Sequence, residues 1–294
     1  MVARILDAPR VLRLKDGSRV SYRVIGSGTP VVAVPGGPGM SASYLVSFAR
    51  GLSEDLCWYL IDPPGTGETS QVGDDSLDAL ASFYASAAAE LGLTSYLIFG
   101  HSHGAAVAAT MAFRRPHRAA GCILVAPPVV GRRADELAGG FVQSAAGKAL
   151  ARHQEQPWYD EAIRAEFASD LECGGGARRR GLPLYFSHPT VELIVTAWTV
   201  LATPNMNENA LVRFYELEWD QFDLRPLLPH IGCPLLAIAG EHDWAAPPPQ
   251  AQFVADLSPS AEVVVMPDCG HFPQIEAPAM FQRIVADWLA ANSL

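Results

Sequence analysis

Leu97-Ile98-Phe99-Gly100-His101-Ser102-His103-Gly104-Ala105-Ala106 is an apolar run that breaks on glycine, presents one serine and resumes in small residues. It reads as strand, sharp turn and helix, and this reading organises the rest of the chain. The serine of a G-x-S-x-G turn sits at a strained backbone position, and the flanking glycines are required because a Cβ there would collide with the neighbouring strand or helix. Such a turn lifts the Ser102 hydroxyl above the strand end, beside a helix start whose free N–H groups can hold developing negative charge. That is the position of a nucleophile.

Working outward, strand and helix patterns alternate on both sides of the turn. Residues 11–15 and 19–25 are short β-type runs joined by Asp16-Gly17, a hairpin signal. The unbroken apolar runs 31–34, 57–61, 96–99 and 121–126 predict strands covered on both faces. Residues 42–52 are expected to be helical. A helix is predicted from an N-cap at Ser76 to residue 91, with Leu77, Leu80, Phe83 and Tyr84 at helical spacing, and another runs from the serine turn to Arg114. This alternation predicts an α/β chain, a mostly parallel doubly wound sheet with helices on both faces. From residue 131 to 220 no buried strand pattern occurs. That block carries helix-like segments, many aromatics, a glycine run at 174–176 and arginines at 178–180 that read as a solvated loop. Alternation resumes with strands at 235–239 and 262–266 and helices at 251–257 and 277–291. Residues 1–130 and 221–294 are therefore expected to form one core, with 131–220 inserted as a helical lid over the strand ends.

The two resumed strands each run into a functional-looking residue: Gly240-Glu241-His242-Asp243 brings an acid, and Asp268-Cys269-Gly270-His271 a histidine. A serine hydroxyl is a poor nucleophile at neutral pH. A base must take its proton, and a carboxylate must hold the imidazole in the right tautomer. Asp243 and His271 match those roles. Glu241 and Asp268 are competing acids. His101, His103 and His242 are competing histidines, but each adjoins a proposed catalytic residue, so its side chain points elsewhere on the turn.

The combination of Gly36-Gly37-Pro38-Gly39, Asp62-Pro63-Pro64-Gly65-Thr66-Gly67, the Ser102 turn, Gly240-Glu241-His242-Asp243 and Asp268-Cys269-Gly270-His271 resembles the proline iminopeptidase family of α/β-hydrolases. The resemblance implies an α/β-hydrolase fold with Ser102, Asp243 and His271 as catalytic residues. It also implies an oxyanion hole made by the N–H groups of Gly37 and His103. In that family a free substrate ammonium is held by glutamates, usually from the lid, and Asn207-Glu208 resembles that segment. Glu208 is thus the first anionic candidate, followed by Glu216 and Glu218. The position after the catalytic acid, acidic in some relatives, is Trp244, and the residue after the nucleophile, often a bulky aromatic, is His103. Trp198, Phe214, Tyr215 and Trp219 are candidates to wall an apolar acyl pocket, with Trp244 beside them.

Composition narrows the partners. The 294 residues are 49% hydrophobic, enough for a sizeable core, and the formal net charge of −10 argues against nucleic acid and anionic membranes. The five cysteines, Cys57, Cys122, Cys173, Cys233 and Cys269, are odd in number and form no C-x-x-C pair, so neither a disulfide framework nor a zinc site is expected. No run of about eighteen apolar residues occurs, and the stretch at residues 1–9 lacks an export pattern. The expectation is a cytoplasmic serine hydrolase without cofactor or metal, acting on a small peptide, amino-acid amide or small-molecule ester. The favoured reaction is release of an N-terminal residue through an acyl-enzyme. A small-molecule esterase, lactonase or amide hydrolase is the alternative, and a ligand-binding protein that keeps the fold without turnover is the rival from another class.

Overall fold

The predicted β-runs become eight strands among the residues described by the computed structural model, which are 8–52, 54–71, 73–137, 139–167, 180–201 and 206–294. The glycine run at 174–176, the arginines at 178–179, Cys173 and residues 1–7 lie outside the described residues. The strands are β1 (Arg10–Arg13), β2 (Arg19–Gly26), β3 (Thr29–Val34), β4 (Leu56–Ile61), β5 (Tyr96–His101), β6 (Ala119–Val125), β7 (Leu235–Gly240) and β8 (Ala261–Met266). They form one sheet in the order β1-β2-β4-β3-β5-β6-β7-β8. From β4 to β8 every neighbouring pair is parallel. β2 lies antiparallel to both β1 and β4, so the first hairpin does more than decorate an edge: it extends the sheet.

Unbroken apolar strands are explained by two-sided burial. Val31 and Ala33 of β3, with Leu97 and Phe99 of β5, belong to one core; Val32, Val34 and Ile98 belong to the other. One face is covered by α2 (Leu77–Glu90), α3 (His103–Arg114) and α9 (Pro248–Leu257), and the opposite face by α1 (Val46–Arg50) and α10 (Pro278–Ala291). The Ser76 side chain caps α2 by accepting from the Ala79 N–H. The helix expected over 42–52 is divided into a 3₁₀ turn, Ala42–Leu45, and the short α1. The Asp62 carboxylate takes the Ser41 hydroxyl at 2.7 Å and the Ala42 N–H at 2.9 Å, fixing where the turn starts.

Chain order reverses across β3, with β4 on one side and β5 on the other. At such a switch point the loops leaving adjacent strands diverge and open a crevice at their carboxyl ends. The loop after β3 and the serine turn after β5 both enter that crevice.

Between β6 and β7 the described residues hold helices α4 (Arg132–Leu137), α5 (Phe141–Ala151), α6 (Tyr159–Glu166), α7 (Val191–Leu201) and α8 (Glu208–Arg213), then a π turn at Phe214–Glu218. The segment leaves and rejoins the sheet domain through a narrow neck. Val130 bridges Asp223, the Gly131 N–H donates to the Phe222 carbonyl at 2.7 Å, and the Leu224 N–H donates to Val129 at 2.8 Å. Buried Gln250 of α9 secures this neck, its Oε1 accepting from the Val129 and Val130 N–H groups and its Nε2 donating to the Val130 carbonyl.

Candidate active site

Ser102 stands at φ 54° and ψ −127°, a region a non-glycine residue occupies only under constraint. Two hydrogen bonds impose it: the Ser102 N–H donates to the Val125 carbonyl at 2.8 Å, and the Ala105 N–H donates to the Ser102 carbonyl at 2.7 Å. The flanking glycines answer the sequence argument directly. A Cβ on Gly100 would run into the Gly104 carbonyl, and one on Gly104 into the carbonyls of Val34 and Pro35. The side chain of Ser102 is half-buried at the start of α3. His103 is the first residue of that helix, where N–H groups have no intrahelical partner.

The loop after β3 packs onto this turn. A Cβ on Gly36 would lie 3.2 Å from Ser102 Cβ, and Gly37, at φ 119°, has the Gly39 and Met40 amides 2.9 Å from where its Cβ would stand. Neighbouring segments fix the loop from outside. The Thr66 hydroxyl donates to the Gly39 carbonyl at 3.3 Å. Asn207 donates its N–H to the same carbonyl at 2.9 Å, caps α8 through its side chain and reaches the Pro64 carbonyl with its amide. Asn207 thus ties the insertion to the glycine loop, a role that its place beside Glu208 in the sequence did not advertise.

The acid and the imidazole meet. His271 Nδ1 lies 2.8 Å from Asp243 Oδ2, and both residues are buried. The other Asp243 oxygen accepts the Ala245 and Ala246 N–H groups at 2.8 and 3.0 Å, which leaves Oδ2 as the acceptor for the ring. With Nδ1–H donating to the carboxylate, Nε2 is the free basic nitrogen. The His271 backbone is held as well: its N–H donates to the Tyr185 carbonyl at 2.8 Å, and the preceding Gly270 N–H donates to Glu276 at 2.8 Å. Burial pushes the Glu276 carboxyl up to about 7 against the backbone N–H groups of Ser187, Gly270 and Phe272, which pull the other way. Ser102 adjoins this pair through His101, whose ring centroid is 5.1 Å from that of His271. No hydrogen bond joins the Ser102 hydroxyl to the His271 ring, and such contacts commonly tighten only when substrate is bound.

The competing residues are placed elsewhere. Asp268 is exposed, Glu241 accepts its N–H at 3.1 Å, and His242 Nδ1 is 2.6 Å from the Ser187 hydroxyl. Glu241, His242 and Asp268 are also the one group of metal-ligand side chains among the described residues whose donor atoms lie within 4.8 Å of one another. Glu241 and Asp268 are exposed and bonded to each other, while His242 is half-buried and engaged with Ser187. Burial pushes the His103 ring down to about 3, and it meets Phe214 edge-on at 4.7 Å between centroids.

Of the substrate-side candidates, Glu208 is exposed on the first turn of α8, and Tyr215 is 52% exposed, so the aromatic that reaches His103 is Phe214. Trp198 is partly buried against the core that holds Phe99. Trp244 packs against Tyr185 at 5.1 Å and Phe167 at 5.5 Å, and Tyr185 in turn contacts the His271 ring at 5.4 Å. Asp75 was not anticipated. It lines a small cavity of about 20 Å³, room for one water-sized group, together with Gly36, Gly39, Tyr84, His103 and Ala210. Its Oδ1 pairs with Arg213 at 2.8 Å, while its Oδ2 and the Tyr84 hydroxyl are buried without a partner. Glu218 stands nearby, its carboxyl raised by burial and then by Asp75 and Asp74. No sequence signal marks Asp75, because its importance comes from a helix start meeting an insertion more than a hundred residues away.

Residues 29–278 match a family model described as the alpha/beta hydrolase fold. Among curated proteins, the chain is 25% identical to a proline iminopeptidase from Heyndrickxia coagulans across 93% of this chain and 96% of that protein. It is 24% identical to a pimeloyl-[acyl-carrier protein] methyl ester esterase from Yersinia enterocolitica across 91% and 96%. Solved structures that share the fold include an enol-lactonase from Burkholderia xenovorans, at TM-score 0.73 and 21% identity over 96% of this chain and all of that one. The proline iminopeptidase of Mycobacterium smegmatis gives TM-score 0.73 and 21% identity over 97% and 98%. No helix of the described residues is long and apolar enough to cross a membrane.

Proposed function

The chain belongs to the α/β-hydrolase family, and from that premise we propose that it is a serine hydrolase working through an acyl-enzyme at Ser102. The observation that carries the reading is the buried Asp243–His271 pair at 2.8 Å, delivered to the sheet rim where Ser102 is held in a strained turn. His271 Nε2 accepts the Ser102 proton as Oγ attacks the acyl carbon, and Asp243 stabilises the imidazolium. The N–H groups of Gly37 and His103 take the oxyanion. His271 then returns its proton to the departing amine or alkoxide, and water, deprotonated by the same ring, releases the acid. Loss of one oxyanion donor costs about 3 kcal/mol of transition-state stabilisation. The helical insertion at 131–220 acts as the lid that excludes water.

On the substrate side we favour a proline iminopeptidase-like aminopeptidase or amidase. The support is chemical. A free ammonium needs a carboxylate near the acyl pocket, and Asp75, with a buried oxygen lacking a partner, lines the cavity that His103 lines, whereas Glu208 is exposed. A small-molecule esterase or lactonase is the second reading, favoured by the aromatic wall of Tyr185 and Trp244 beside His271, where some relatives place an acid.

The mechanism is tested with a fluorophosphonate and Ser102→Ala. Stoichiometric labelling of Ser102 and loss of turnover in a folded Ser102→Ala protein are expected; full activity of that variant refutes the mechanism, and ligand binding without turnover or labelling supports the binding-protein rival. The substrate is tested with a prolyl amide, its N-acetylated form and a neutral ester. Preference for the free amine, weakened mainly in KM by Asp75→Asn, is expected, and indifference to acetylation removes the aminopeptidase reading.

A further inference from the structure

Three buried groups join the two halves of the site without belonging to the triad. The Gly36 N–H donates to the Tyr44 hydroxyl at 2.8 Å, that oxygen lies 2.8 Å from His101 Nδ1, and His101 Nε2 lies 2.9 Å from the His271 backbone carbonyl. Tyr44 and His101 are 3% and 1% exposed, so no water competes for these bonds.

The proton positions follow from the partners. A carbonyl can only accept, so His101 Nε2 carries the hydrogen and Nδ1 is the acceptor in the neutral ring; the Tyr44 hydroxyl therefore donates to Nδ1 while accepting from Gly36. Every donor in the chain has one acceptor, and the run has a single direction from the glycine loop to the histidine loop. The neighbours of its two ends are the groups that do the chemistry: Gly37 follows Gly36, and His271 itself receives the last bond. Burial holds the His101 ring neutral, its pKa pushed down to about 3, which preserves this tautomer across the working pH range.

Resting on the acyl-enzyme reading above, we propose that Tyr44 and His101 are positioning residues that lock the oxyanion loop and the general base into one register. Neither touches substrate. Their effect is on the transition state, since an oxyanion N–H and a base displaced by a fraction of an ångström still bind substrate but no longer meet the developing charge and the moving proton together.

Tyr44→Phe keeps the ring and its edge contact with His101 but removes the hydroxyl, so Gly36 loses its acceptor and His101 its donor. His101→Gln restores the reach of Nε2 with an amide that can still donate to the His271 carbonyl, and His101→Leu removes both bonds. Expected for Tyr44→Phe and His101→Leu is a fall in kcat on the order of 10- to 100-fold. KM stays unchanged, and the rate constant of fluorophosphonate labelling at saturating reagent falls in parallel. His101→Gln is expected to recover most of the loss. Circular dichroism and thermal melting of each variant establish that it folds, and if His101→Leu does not, Tyr44→Phe decides. The wild-type protein separates the two levels of argument: if Ser102 is never labelled, the acyl-enzyme reading fails. If wild type is labelled while folded Tyr44→Phe keeps both kcat and labelling rate, or loses KM and kcat alike with no rescue by His101→Gln, the positioning role is overturned and the acyl-enzyme reading stands.

Discussion

At the scale of single residues, the site is defined as much by absent atoms as by reactive ones. Ser102 can occupy its strained backbone region because Gly100 and Gly104 leave room, and Gly104 does so against two backbone carbonyls that have no side chain to move aside. Gly104→Ala must therefore push α3 away from the loop after β3. A destabilisation of about 1–3 kcal/mol is expected from such overpacking, together with a drop in turnover as the Gly37 and His103 donors separate. Urea denaturation with parallel kinetics checks this, and an unchanged midpoint with full activity would show that the contact is softer than its geometry implies. The glycine, serine, aspartate and histidine positions were legible in the sequence because each is required by local chemistry. Asp75, Tyr44 and Gln250 were not, since the groups they serve are far away in the chain.

At the scale of elements, strands are read well where both faces are buried and helices where a cap and a stop are present. The Ser76 cap and the strand at Tyr96–His101 lie where the pattern puts them, because burial and capping act within a few residues. The segment expected as a helix over 42–52 starts at a point held by Asp62, a residue of another loop, and no local propensity carries that information. The neck of the insertion is similar: a glutamine on α9 satisfies two N–H groups and one carbonyl of residues 129–130. Gln250→Leu leaves those three backbone groups buried and unpaired, and a loss of about 2–4 kcal/mol is expected from the unmade hydrogen bonds. Chemical denaturation reads this, while faster proteolysis within 131–220 under native conditions would locate the loosening at the neck; a variant as stable and as resistant as wild type would count against the clamp.

At the scale of the whole molecule, buried titratable groups make stability depend on pH in a direction that can be worked out. Burial pushes His101 and His103 down to about 3 from an ordinary 6.5, so below pH 6.5 the unfolded chain binds their protons while the native state refuses them. Their contribution is complete above 6.5 and is lost progressively as the pH falls toward 3. His153 and His242 are lowered in the same sense. Glu276 acts oppositely: raised to about 7 from 4.5, it keeps its proton in the native state across that window and favours folding as the pH falls. Glu218 is raised in the same sense as Glu276, and four lowered histidines against these two carboxyls leave the net slope toward instability in acid. Tm is expected to fall steadily from pH 6.5 to 4, and less steeply in His103→Gln, which cannot bind a proton there; identical slopes would place the acid sensitivity elsewhere. The same scale separates what was readable from what was not. Alternating strand and helix patterns determined the fold class, and the strained serine turn with the order Ser, Asp, His named the candidate nucleophile, acid and base, because periodicity and turn chemistry are properties of neighbouring residues. Only the tertiary structure decided that β2 joins the sheet antiparallel to β4, that Phe214 rather than Tyr215 reaches the elbow, and that Asp75 lines the cavity beside His103. Those facts depend on which distant surfaces bury one another, a balance of packing and desolvation that no short stretch of chain contains.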